Sequence, residues 1–227
     1  MRKLNEVYFR EFYNKFVFIK NSALMHIILG DRQDGVSGMV AYCYIDEEEG
    51  LAFRGLYKAG LDESGLKLGL LPDSKENIYL VRLRSKDKFL GNVHIENNNL
   101  QVYSLDYTNT EFIDIEKLGF DVNVLEPIRK EMTDIYGNST FEDLRGYKYS
   151  FLDKFRDEYY PDRVYVYLIN ARDKIERNWI GLTGANGKDS FTGKLLREPS
   201  SEFENHKGDV IQVKYVNDQL VYMVNED

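Results

Sequence analysis

The chain has 227 residues, 43% of them hydrophobic, 14% aromatic and 30% charged, and its net charge is -8. This is enough apolar material for one large domain or two modest ones to bury about 70% of their unfolded surface without staples, so the composition excludes a disordered chain. An acidic chain is repelled by phosphate backbones, whose affinity draws on counterions released by Lys and Arg, and this argues against general nucleic-acid binding.

Met1-Arg2-Lys3 leads directly into alternating polar and aromatic residues, with no apolar signal core. No later window approaches the roughly 18 apolar residues of a membrane span, so the expectation is a cytoplasmic protein with no membrane partner. Leu4, Val7, Tyr8, Phe9, Phe12, Tyr13 and Phe16 recur at three- and four-residue intervals, which predicts an amphipathic helix over residues 3–16. Such a helix needs a sheet to cover. Residues 23–29, 39–45 and 51–57 supply strand patterns, and Asp46-Glu47-Glu48-Glu49-Gly50 reads as a charged hairpin tip rather than a catalytic carboxylate pair. Cys43, the lone cysteine, has no internal disulfide partner and reads as a small core residue.

Residues 78–85, 89–95 and 100–105 continue the β pattern, with Asn97-Asn98-Asn99 suited to a tight hairpin. The sum is an N-terminal antiparallel sheet of about six strands with its covering helix. Arg82, Arg84, Lys86 and Lys88 occupy every second position, placing four cations on one strand face. Arg82, Arg84 and Lys86 are therefore the candidate anion site; the competing reading is a basic face that deters edge pairing.

From residue 111 the periodicity becomes helical: Phe112, Ile115 and Leu118, then Ile128, Met132 and Ile135, then Phe141, Leu144, Tyr147, Phe151 and Phe155. Gly137-Asn138-Ser139-Thr140 interrupts it, and the residues after it resemble a helix N-terminus. Residues 111–160 hold 7 Lys and Arg against 12 Asp and Glu. Their carboxylates, Glu126, Glu131 and Asp134 among them, are expected to face outward as a negative patch for a protein with a basic surface. Tyr159-Tyr160-Pro161-Asp162 marks the expected boundary between an α+β domain, residues 1–160, and a small β module, residues 161–227.

In that last third, apolar runs at 164–169, 179–182, 210–213 and 220–224 are separated by Gly, Asn, Asp and Pro clusters. Short strands joined this tightly predict a small barrel-like module, with Trp179, the only tryptophan, in its core. Glu176 and Trp179 after a strand, a Gly-x-Leu turn leading to Pro199, and Gly208-Asp209 opening a hairpin resemble the uncharacterised bacterial YegJ-like domain of unknown function. The resemblance covers residues 163–224 and implies a bacterial source and a fold, but no activity. A faint echo links Gly69-Leu70-Leu71-Pro72 and Leu100-Gln101-Val102-Tyr103 to Gly193-Lys194-Leu195-Leu196 and Leu220-Val221-Tyr222, as a duplicated β unit would.

Familiar chemistry is missing from the letters. Gly184-Ala185-Asn186-Gly187-Lys188-Asp189-Ser190 fails as a phosphate loop, since position 182 is Leu and position 189 is Asp, and reads as a hairpin turn. His26, His94 and His206 have no metal-ligand spacing, there is no nucleophile elbow, and no cofactor is implied. The 17 tyrosines suit an interface. The reading is a cytoplasmic bacterial binding or interaction protein, such as an immunity or anti-defence protein; the alternative is a small-molecule or nucleotide-handling enzyme with an anion pocket at Arg82 and Arg84.

Overall fold

The computed structural model describes residues 1–23, 35–69, 78–84, 93–94, 100–137 and 143–223. It is mostly sheet, with one long α-helix among the described residues. The chain divides into two compact units, Met1–Gly137 and Asn138–Asp227.

Unit 1 is a nine-stranded, curled half-barrel with strand order β1-β9-β2-β3-β4-β6-β8-β7, with β5 also on β4. Its strands are β1 (Arg2–Lys3), β2 (Phe16–Lys20), β3 (Gly38–Asp46), β4 (Gly50–Asp62), β5 (Gly65–Leu68), β6 (Ile78–Arg84), β7 (Val93–His94), β8 (Leu100–Asp106) and β9 (Glu111–Asp114). The β3–β4 hairpin closes where expected: the Asp46 carboxylate accepts from the backbone N–H groups of Glu48 and Glu49 at 2.9 and 2.8 Å. Gly50 then takes a φ of 77°, a left-handed conformation glycine adopts without a Cβ clash. The sheet is not wholly antiparallel, because β6 and β8 pair parallel.

Residues 3–16 do not form the expected helix. They fold into two 3-10 turns, Leu4–Glu6 and Phe9–Glu11, before β2 begins at Phe16. Aromatic residues are indifferent helix formers, and here the backbone finds partners in the sheet instead: Asn14 N–H donates to Cys43 O at 3.1 Å, and Cys43 N–H to Lys15 O at 3.0 Å. Asn14, at a φ of 56°, turns the chain into the strand. The apolar spacing still has its use, since Leu4, Phe9 and Phe12 are buried. Phe12 packs on Phe112, Phe53 and Tyr107 at ring separations of 5.3, 6.1 and 6.5 Å.

The opposite face of the sheet carries Phe18, Val40, Tyr42 and Tyr44, covered by Leu125 and by the helix α1 (Glu126–Tyr136) through Met132 and Tyr136. The Tyr44 and Tyr136 rings lie 4.3 Å apart. Both faces of β3 are thus buried, as its unbroken apolar run requires. The helical texture expected from residue 111 is realised only in part. Residues 111–114 alternate in burial and form β9, and short 3-10 turns follow before α1.

Unit 2 is a closed five-stranded barrel of β10 (Arg163–Ile169), β11 (Ile175–Ala185), β12 (Ser190–Leu195), β13 (Val210–Val216) and β14 (Gln219–Met223). In a five-strand meander each strand reverses, so the fifth runs with the first, and β14 closes on β10 as a parallel pair. Gly193 lies at a close approach, where a Cβ would meet Ile180 Cδ1 at 2.6 Å. The turn at 186–189 is the expected hairpin, with Asn186 N–H donating to Ser190 O at 2.8 Å. Asn217 and Asp218, at φ of 47° and 67°, make the two-residue β13–β14 turn that such a hairpin favours.

The division falls after Gly137 rather than at Pro161 because residues 143–155 belong to the barrel's core. Leu144, Tyr149, Leu152 and Phe155 cluster with Val164, Ile180 and Phe191. Arg145 fastens this cap: its Nε and Nη2 donate to the two Asp162 carboxylate oxygens at 3.0 and 2.6 Å, with the Arg145 side chain 2% exposed. Arg156 adds bonds to the carbonyls of Leu144, at 2.6 Å, and Pro161.

All but the first residue of the expected strand at 23–29, residues 70–72 of the echo, Lys86, Lys88, the strand start at 89–92, the Asn97–Asn99 turn (residues 97–99), the helix start at 138–142 and His26 lie outside the described residues.

Candidate functional site

Alternation along β10 and β11 decides which side chains are free to act. Val164, Val166 and Leu168 point into the barrel and are fully buried, as is Ile180. Arg163, Tyr165, Tyr167 and Ile169 therefore lie on the outer face, half-buried. On β11 the same parity buries Asn178 and turns Arg177 and Trp179 outward. Trp179 is thus not a barrel-core residue as expected; Phe191, fully buried, fills that role.

The residues that carried the family resemblance hold a loop in place. Asn178, 1% exposed, accepts from Trp179 N–H at 2.7 Å and donates to Arg197 O at 3.4 Å. The Glu176 carboxylate accepts from Ser200 N–H at 2.9 Å, beside the buried Pro199. Further along, Glu198 accepts from Lys207 N–H at 2.7 Å and lies 2.8 Å from His206 Nδ1, while Asp209 accepts from His206 N–H at 2.7 Å. The Glu198 carboxylate raises the His206 pKa above its ordinary value, and His206 lowers that of Glu198.

The outer face is a different environment. The pairings Lys214↔Val221, Val221↔Tyr167 and Tyr167↔Arg177 place these four side chains in one row across β13, β14, β10 and β11. Beside it Tyr165 pairs with Trp179, edge to face at 5.9 Å. The Arg177 guanidinium lies over the Tyr165 ring at 3.8 Å, and that of Arg163 over Tyr160 at 3.7 Å. Among the described residues Arg163, Arg177 and Lys214 form no ion pair. A guanidinium stacked on a ring keeps its N–H edge for an outside acceptor, and the fork matches a carboxylate or phosphate.

A groove of about 460 Å³ opens on the same face, lined by Ile169, Val221, Tyr222, Val216 and Lys214 among others. Ile175, which pairs with Ile169, is 65% exposed, and Val216 is 48% exposed. At one end Lys154 contacts the Asp218 carboxylate, which also accepts from Tyr215 Oη at 2.5 Å. Lys154 lowers the Asp218 pKa, and Asp218 raises those of Lys154 and Tyr215. The groove and the ladder were not singled out from sequence. Their signal was present in the strict alternation of Arg163-Val164-Tyr165-Val166-Tyr167-Leu168, once the Val and Leu phase is taken as the interior.

The residues expected to form sites are distributed differently. Arg82 and Arg84 lie in β6, opposite Ser104 and Asp106 of β8. Because Arg82 pairs with Ala52 of β4 on its other side, it does not stand at a sheet edge. Glu126, Glu131 and Asp134 are exposed on α1, but two of the three are engaged. Arg54 Nη1 donates to Glu131 at 2.8 Å, and Arg129 lies 3.5 Å from Glu126. With Arg129 and Lys130 interleaved, this helix carries two cations against three carboxylates, so its surface is mixed in sign.

Among the described residues no group of three or more His, Cys, Asp or Glu could hold a metal ion, and no helix is long and apolar enough to cross a membrane. The chain matches no protein-family model, no curated protein and no solved structure.

Proposed function

We propose that this protein is a binding protein and that the outer face of its C-terminal barrel is the contact surface. The observation that carries the reading is the outward row of Arg177, Tyr167, Val221 and Lys214, whose two cations form no ion pair among the described residues, running into a groove with exposed aliphatic side chains near it. Tyr, Trp and Arg are the residues that dominate interface energetics, and an exposed apolar patch rimmed by polar groups marks a docking surface. A cytoplasmic bacterial setting, an immunity or anti-defence role blocking one partner, and kinship with YegJ-like domains belong to the same proposal. The alternative, an anion-handling enzyme at Arg82 and Arg84, rests on the alternation of that strand alone.

The test is a comparison of tagged full-length proteins in bacterial lysate, with retained proteins identified by mass spectrometry. A partner held by the wild type should be lost by Val216→Glu with Trp179→Ala and kept by Asp134→Lys. A partner that survives the barrel substitutions and is lost with Asp134→Lys would move the contact surface to α1.

A further inference from the structure

We infer that the barrel face takes an acidic segment of a partner protein that carries a large apolar anchor; this rests on the barrel-face reading above. Charge complementarity selects the first half of that description. Arg163, Arg177 and Lys214 have no ion-pair partners among the described residues, so a carboxylate arriving there meets cations that are not already compensated. Stacking on Tyr160 and Tyr165 restrains both guanidiniums, reducing the ordering cost when a carboxylate is gripped.

The groove selects the second half. At about 460 Å³ it has room for one or two large side chains. It opens at the Lys214 end of the row, since Lys214 and Val221 both line it and Tyr167 and Arg177 follow them in register. Lys214 and Arg177 are three strands apart, roughly 14 Å. An extended peptide advances about 3.3 Å per residue, so the two carboxylates should be about four residues apart with the anchor between them.

Single-stranded nucleic acid fits less well. Its bases bind by stacking on open aromatic faces, and here guanidiniums cover faces of Tyr160 and Tyr165. The exposed Ile175 and Val216 also suit a protein surface better than a phosphate backbone.

The experiment is selection of a random 12-residue phage-displayed peptide library on the full chain, followed by anisotropy measurements with the enriched peptides. Enriched sequences should carry Asp or Glu about four residues apart around a large apolar residue. Arg177→Ala and Lys214→Ala, with unchanged circular dichroism, should each weaken binding about tenfold. Replacing the peptide carboxylates by amides should do the same. Enriched peptides without carboxylates overturn the inference. If those peptides are still lost on Val216→Glu, the barrel face remains the contact surface; if no barrel substitution affects them, that reading falls as well. Failure to enrich any peptide also overturns the acidic occupant. So does tight binding of labelled 15-residue oligothymidylate that Arg177→Ala abolishes, which would assign the face to nucleic acid.

Discussion

The guanidinium of Arg177 lies 3.8 Å from the centre of the Tyr165 ring, on the outside of a barrel whose inside is lined by their strand neighbours Val164, Val166 and Asn178. The contact joins two strands through their outward phase. The Tyr165 ring also meets the buried Phe155 at 5.2 Å, and the charged edge of Arg177 stays available. The difference between the two phases can be measured.

Trp179→Ala should destabilise unit 2 far less than Phe191→Ala. Phe191 is fully buried and contacts Tyr149 and Phe151 at 5.4 and 6.1 Å, so its loss should cost about 3–5 kcal/mol. Trp179 is half-buried, and about 1–2 kcal/mol is expected, given the smaller area it removes from water. Thermal midpoints read the comparison. Equal losses would return the tryptophan to the core.

Arg145 is buried and Asp162 is 18% exposed, so removing the carboxylate takes two hydrogen bonds from a guanidinium that water barely reaches. Asp162→Ala should cost about 3 kcal/mol in urea unfolding, and the peptide over residues 143–155 should lose hydrogen-exchange protection first. Arg145→Lys should recover little, because a point charge does not reproduce the two-oxygen fork. A change below about 0.5 kcal/mol would mean that the cap is held by its aromatic contacts alone.

Glu131 and Asp134 share a helix but not an environment. Arg54, only 19% exposed, holds Glu131 at 2.8 Å. Glu131→Lys places a second cation beside it and should lower stability by about 1 kcal/mol, whereas Asp134→Lys should change it by less than about 0.5 kcal/mol. Adding 0.5 M salt should narrow the difference. Equal responses would mean that the Arg54 contact carries no weight in solution.

His206 should titrate above its ordinary 6.5, because the Glu198 carboxylate favours the imidazolium. A folded pKa above the unfolded one makes the stabilising contribution complete below 6.5 and lost as pH rises through the folded value. Glu198 has the opposite sign: its folded pKa lies below 4.5, so its contribution is present above 4.5 and lost as pH falls through the folded value. The Glu198–His206 contact should therefore be strongest between the two. NMR titration of the His206 ring reads this directly, and Glu198→Gln should return the midpoint towards 6.5. A wild-type midpoint at or below 6.5 would remove the contact from solution.

The sequence by itself determined where the chain runs extended and where it turns. Period-two burial along β10 and β13, the hairpins at 46–50 and 186–189, and the short, tightly turned strands of the last third all follow from residues interacting with near neighbours. It did not determine which phase of a strand is enclosed. In β11 both Trp179 and Ile180 are apolar, and only closure of the barrel decided that Ile180 goes in. Residues 3–16 have helical spacing, yet distant backbone partners at Cys43 drew them into turns and a strand. The candidate site depends most on tertiary structure, because Lys214, Val221, Tyr167 and Arg177 meet through strand register, including a parallel closure that joins the two ends of the module. The same is true of Glu131, whose outward position was legible from the helix pattern while its partner, Arg54, lies 77 residues away. Local spacing encodes which face a side chain takes within its own element; what it meets there is set by the pairing of elements far apart in the chain.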